Sequence, residues 1–208
     1  MEPWSVEEKK AIDMLDSPWK VQQFLDSIEY NPNSESRSPR LVLETGRAHC
    51  FEGALFAAAC LRNMGHPPLL VDLRAVNDDD HVIAVFRERG LWGAVAKSNF
   101  TTLRYREPVY RSLRELSMSY FDLYFNTLGE KTLRAYSRPL DLSRYDGDDW
   151  MTAVSSLEYI GDELDRIIHY PLVDDVSISA LSPASPILLE SGLLGSKPEG
   201  LFRPGNDG

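Results

Sequence analysis

The chain reads as an α+β fold, and three features of the sequence predict it. The run TGRAHCFEGALFAAACLRNMG packs Ala, Leu and Phe too densely for a one-sided helix and stops at Gly65, so it predicts one helix buried nearly all round. Beyond the turn His66-Pro67-Pro68, LLVDLRAV has the length and apolar content of a strand. His81 to Phe86 and Leu91 to Ala96 then flank RERG, whose Gly suits a tight hairpin. A helix followed by three successive strands is an α+β plan, with the helix packed on an antiparallel sheet.

The remaining elements follow in chain order. Ser5 and Glu8 form a capping-box pattern before the apolar pair Ile12 and Leu15, predicting a helix over 6–16. Ser17 and Pro18 read as N-cap and first residue of a second helix that ends near Tyr30. NPNSESRSPR, 31–40, is turn-rich and predicts an exposed loop, and LVLE after it a short extended segment. Downstream, Ser112 caps an aromatic-rich helix that closes before Gly129, TLRAYS reads as a further strand, and a helix is expected over 150–168 before Pro171. These pieces predict one domain over 1–173, with a helical N-terminal stretch over 1–40, a core over 41–140 and a helix in 150–168. The prolines and glycines of 174–208 predict an extended tail or arm, disordered or draped over a neighbour, and a route to homo-oligomers.

Charge and composition narrow the function classes. With 32 acidic residues against 22 Lys and Arg, the net charge of −10 opposes a phosphate backbone, so nucleic acid is not an expected partner. No segment approaches the roughly 20 apolar residues of a membrane-spanning helix, and the first residues, MEPWSVEEKKAID, lack the apolar run of a signal peptide. Membrane is not an expected partner either, and the cytoplasm is the expected compartment. The two cysteines, Cys50 and Cys60, fall in one predicted helix, about 15 Å apart, which is beyond disulfide reach. The thiols are therefore either buried fillers or one of them does chemistry, and no spacing calls for a metal or cofactor.

Cys50 is the better candidate. It stands where the polar TGRAH run becomes helical, and a helix start favours thiolate through its unpaired N–H groups and dipole. Cys60 lies mid-helix among Ala and Leu, where a cysteine is filler. A thiol nucleophile needs an imidazole to accept its proton and later protonate the leaving group. His81 opens a strand one helix and one strand later, placed to swing back over the helix start.

Taken together, GRAHCFEGALFAAACLRNMGHPPLLVDL and DDDHVIAVFRERGLWGAV resemble the central stretch of the transglutaminase-like superfamily. The shared features are the Cys, Gly53 and Ala54, a Leu-Arg pair before a helix-ending Gly, a proline turn into a strand, and a His-led strand paired with one carrying Trp. The resemblance covers 46–99. It implies a papain-like core, Cys50 as nucleophile, His81 as base, and acyl transfer at an amide or peptide-like bond through a thioester, with hydrolysis the default outcome. The implied substrate is a peptide, a protein or a small amide.

The sequence departs from that family at the third residue, where an aspartate usually orients the histidine and KSNF stands instead. A hairpin turning through Arg87 to Gly90 puts His81 opposite Ala96, so Ser98 shares its face; a bulge would promote Asn99. Trp92 is a candidate second oxyanion donor, and Arg104 and Tyr105 candidate substrate contacts in an arginine-rich stretch. The absent carboxylate also keeps open a second reading: a catalytically silent fold of this type that serves as a protein interaction module.

Overall fold

A computed structural model describes residues 4–204. In chain order the helices are α1 (Val6–Met14), α2 (Pro18–Ser27), α3 (Pro39–Thr45), α4 (Cys50–Asn63), α5 (Leu113–Phe121), α6 (Glu158–Arg166), α7 (Asp175–Ser179) and α8 (Pro186–Leu193). The strands are β1 (Glu29–Tyr30), β2 (Arg47–Ala48), β3 (Leu69–Ala75), β4 (His81–Glu88), β5 (Leu91–Val95), β6 (Arg106–Tyr110), β7 (Leu133–Ser137), β8 (Leu140–Asp141) and β9 (His169–Pro171). The fold is α+β. Strands run in the order β6-β5-β4-β3-β7-β9, with β8 also on β3, and every pairing in that sheet is antiparallel. β1 and β2 form a separate parallel pair. No helix among the described residues is long and apolar enough to cross a membrane.

The strand period of two sorts the core into two layers. Leu70, Val82, Ala84, Phe86 and Val95 face α4, together with α1, α2 and Trp150. Val71, Leu73, Ile83, Val85 and Ala94 face the other way, onto α5, Phe125 and partly buried leucines of α8. The helix α4 is buried from Phe51 to Leu61, as its composition predicts, because the sheet lies on one side and α1, α2 and α3 on the others.

Several elements differ from the sequence reading for identifiable reasons. LVLE is helical, not extended: Pro39 sits at the first position after Ser38 and Gly46 closes the turn in the left-handed region, signals that outweigh two β-branched or bulky residues. The aromatic helix α5 ends at Phe121, where Tyr124 and Asn126 tie the next residues to the β3–β4 connection instead. The last predicted helix starts at Glu158 rather than 150: a 3-10 helix over Leu142–Asp148 ends on Asp149 at a positive φ of 50°, and the residues that follow form turns before α6 begins. The β4–β5 hairpin turns on Arg89 and Gly90 alone, both at positive φ as a type I′ turn requires. That moves the register by two residues, pairing Ala84 with Val95. Residues 174–204 are not an extended arm: they form α7 and α8 and pack back onto the chain's own sheet.

Candidate active site

Cys50 is the first residue of α4. The preceding His49 is extended, and its N–H donates to Glu52 Oε2 at 3.0 Å, closing the first turn. Glu52 is wholly buried, and it also accepts from Arg37 Nε at 2.6 Å and Asn31 Nδ2 at 3.0 Å. Burial pushes its carboxyl up, but Arg37 foremost among its partners holds the net value below the usual range. The loop 31–38 is thereby fastened to the start of the helix. On the opposite side, a Cβ on Gly53 would lie 2.3 Å from Lys97 Cβ, so only glycine lets α4 come this close to the chain leaving β5. Lys97 caps the end of α2, donating to the carbonyls of Leu25 at 2.6 Å and Ile28 at 2.7 Å, and burial brings its amine down to about 8.

The Cys50 sulfur faces the start of β4, 3.9 Å from the Asp80 carbonyl oxygen. Burial pushes the thiol up to about 11. The backbone N–H groups of Val82 and Phe51 oppose that rise, and Asp79 and Asp72 add to it. Val82 precedes the first β4–β5 pair, so no β5 residue faces it and its N–H is left for the sulfur. Burial likewise raises the carboxyls of Asp78 and Asp80, each to about 6. The rim of the cavity is thus acidic, and the resting sulfur is a neutral thiol. Cys60, in the helix interior, is a buried free thiol raised further by burial alone.

His81 is 4% exposed and shares the parity of Ile83 and Val85, so its ring points to the α5 side of the sheet, away from the body of α4. Its Nε2 lies 2.8 Å from the Leu103 carbonyl oxygen. A carbonyl only accepts, so Nε2 carries the proton and Nδ1 of the neutral ring keeps its lone pair. Burial, with help from Arg106, lowers the imidazole to about 4 against the opposing Leu103 bond. Cys50 and His81 nonetheless line one cavity of about 50 Å³ at the end of the sheet. No protein-family model and no curated protein matches this chain.

Ser98 and Asn99 also line that cavity, but neither orients the histidine. Continuing the observed register would place Ser98 opposite His81. However, β5 stops at Val95, because Gln22 takes both backbone groups of Ala96, at 3.0 and 2.9 Å. Ser98 Oγ then accepts from the Phe100 N–H at 3.0 Å, and the Asn99 amide is spent on Lys197. The place of an orienting side chain is held by the Leu103 carbonyl, which leaves no trace in a sequence. Trp92 lies outside the cavity, against Arg87 at 5.0 Å. Arg104 pairs with Asp26 at 2.9 Å, and Tyr105 packs on Trp19 and Phe86; neither lines the cavity.

Sequence reasoning missed Tyr30, Tyr124 and Phe202, which do line it. Tyr124 is 2% exposed, donates its hydroxyl to the Asp79 carbonyl at 2.6 Å and sets its ring edge-on to His81 at 6.3 Å. Its signal was a polar-tipped aromatic in a run already assigned to a helix face. A second polar pair lies under the α4 face: Asp72 Oδ2 meets His169 Nε2 at 2.8 Å, and His169 Nδ1 meets the Ile167 carbonyl at 2.9 Å. An aspartate in the middle of LLVDL was a visible anomaly.

Proposed function

We propose that the chain is a thiol acyl-transfer enzyme of the transglutaminase-like kind, acting on an amide or peptide-like bond with Cys50 as nucleophile and His81 as base. The observation that carries the reading is the position of the Cys50 sulfur at a helix start. Two backbone N–H groups favour its thiolate there, in the same cavity as an imidazole whose tautomer is set. A neutral Nδ1 takes the thiol proton as sulfur adds to the carbonyl carbon. The imidazolium returns that proton to the departing amine as the C–N bond breaks, leaving a thioester. Water, deprotonated by the same ring, cleaves the thioester to a carboxylic acid and restores the thiol.

The Leu103 carbonyl is a dipole rather than a charge, so it supports imidazolium less than a carboxylate does, and turnover is slow by comparison. The α+β core, with a cysteine-led helix against an antiparallel sheet, supports a papain-like relationship. The test is acylation of the full chain by p-nitrophenyl acetate, followed by mass spectrometry of the intact thioester. The expected result is acetylation at Cys50 in preference to Cys60, slowed about 10²-fold or more in His81→Ala. Equal labelling of the two cysteines, or a rate indifferent to His81, contradicts the proposal.

The interaction-module reading keeps one specific support: Cys50 at about 11 and His81 at about 4 leave both groups neutral at pH 7. The same experiment decides it, since a silent fold leaves Cys50 unacylated.

A further inference from the structure

Residues 197–202, Lys-Pro-Glu-Gly-Leu-Phe, pass beside the cavity over Cys50, with Gly200 and Phe202 in its wall. The way this segment is held is specific. One side chain, Asn99, accepts from the Lys197 N–H at 2.8 Å and donates to the Lys197 carbonyl at 2.9 Å, so it reads backbone as a neighbouring strand does. Thr127 Oγ1 donates to the Phe202 carbonyl at 3.2 Å. Between them, a Cβ on Gly200 would lie 2.6 Å from the Tyr30 ring and 3.2 Å from Asn99 Nδ2, so the seat on Tyr30 admits glycine alone. Yet no residue from Leu194 to Pro204 is fully buried. Leu201 packs on the edge of the core, Phe202 is half-buried and Lys197 Nζ pairs with Glu29 at 3.0 Å. A segment held by a few such contacts and side chain–backbone hydrogen bonds, with no fully buried residue, opens more readily than the core elements beneath it.

We propose that Tyr30, Asn99 and Thr127 form a peptide-binding groove that takes an extended segment with a glycine against Tyr30, and that residues 197–202 occupy it in cis. The inference rests on the thiol reading of Cys50 and names its substrate class: a glycine-containing peptide that enters when this segment leaves. Because the occupant is tethered, it competes at an effective concentration in the millimolar range, and an added peptide binds the resting chain weakly.

The test is fluorescence anisotropy with a labelled peptide of sequence Ser-Lys-Pro-Glu-Gly-Leu-Phe-Arg, added to the full chain and to two full-chain variants that unseat the segment by different means. Gly200→Val puts a side chain against the Tyr30 ring, and Lys197→Pro removes the N–H that Asn99 accepts. Both variants are expected to bind the peptide about tenfold tighter than the unaltered chain, or more. A peptide with valine in place of its glycine is expected not to bind, and Asn99→Ala in the Gly200→Val chain to lose the gain. Equal affinity for all chains, or equal binding of the glycine and valine peptides, overturns the groove. The two proposals fail separately. Peptide binding without His81-dependent acylation of Cys50 keeps the groove and sinks the enzyme; acylation without peptide binding does the reverse.

Discussion

At the scale of single residues, the proposed chemistry turns on how the surroundings of one sulfur are balanced. Two backbone N–H groups lower the Cys50 thiol, whereas burial and the carboxylates of Asp79 and Asp72 outweigh them and hold it at about 11. Replacing Asp79 by Asn removes one of those charges and is expected to lower the thiol by up to about one unit, read from the pH dependence of iodoacetamide alkylation. Glu52 works in the opposite direction. Its carboxyl is held below the ordinary value of 4.5, so the stability it contributes is complete above about pH 4.5 and is lost as pH falls through its lower folded value. Glu52→Gln is therefore expected to flatten the acid side of the stability profile and, by taking the carboxylate from half-buried Arg37, to lower the midpoint of urea unfolding. Cys50 and His81 were legible in the sequence because thiol and imidazole are scarce and their chemistry depends on residue type. The Leu103 carbonyl and the Val82 N–H were not, since backbone groups occur at every position and only the fold selects among them.

At the scale of elements, α4 and the β3–β4–β5 hairpin system carry the site, and both were readable from periodicity and turn signals. What periodicity could not give was the side of the sheet on which His81 lands relative to α4, or the early end of β5. The latter depends on Gln22, a residue far away in the chain that takes over the backbone of Ala96. The close seat of α4 predicts that Gly53→Ala must push the helix off Lys97, with a cost of about 1–3 kcal/mol in denaturant unfolding. The pair Asp72–His169 joins β3 to the edge strand β9 across β7, with both side chains almost wholly buried. Asp72→Asn or His169→Gln leaves a buried partner unmatched, and a loss of about 3–5 kcal/mol is expected by the same measurement. Edge strand β9 should then lose amide-exchange protection before β3 or β4 does.

At the scale of the whole molecule, one sheet separates two cores, and the candidate site sits where the start of α4 meets the end of that sheet under residues 197–202. The prolines and glycines of 174–208 predict an extended tail or arm, disordered or draped over a neighbour. Over 174–204 they serve a segment laid on the chain's own surface rather than one released from it. Burial of a neutral imidazole also makes the fold acid-sensitive. His81 falls from 6.5 to about 4 on folding, so between those values the unfolded chain binds more protons and stability drops as pH falls, by about 3 kcal/mol at pH 4. His81→Phe is expected to remove that slope. The most direct measurement of the central claim is the pH profile of Cys50 alkylation by iodoacetamide in the Gly200→Val chain, with and without His81→Ala. The account predicts an inflection well below 11 that His81→Ala abolishes; a profile unchanged by the loss of the imidazole would contradict it.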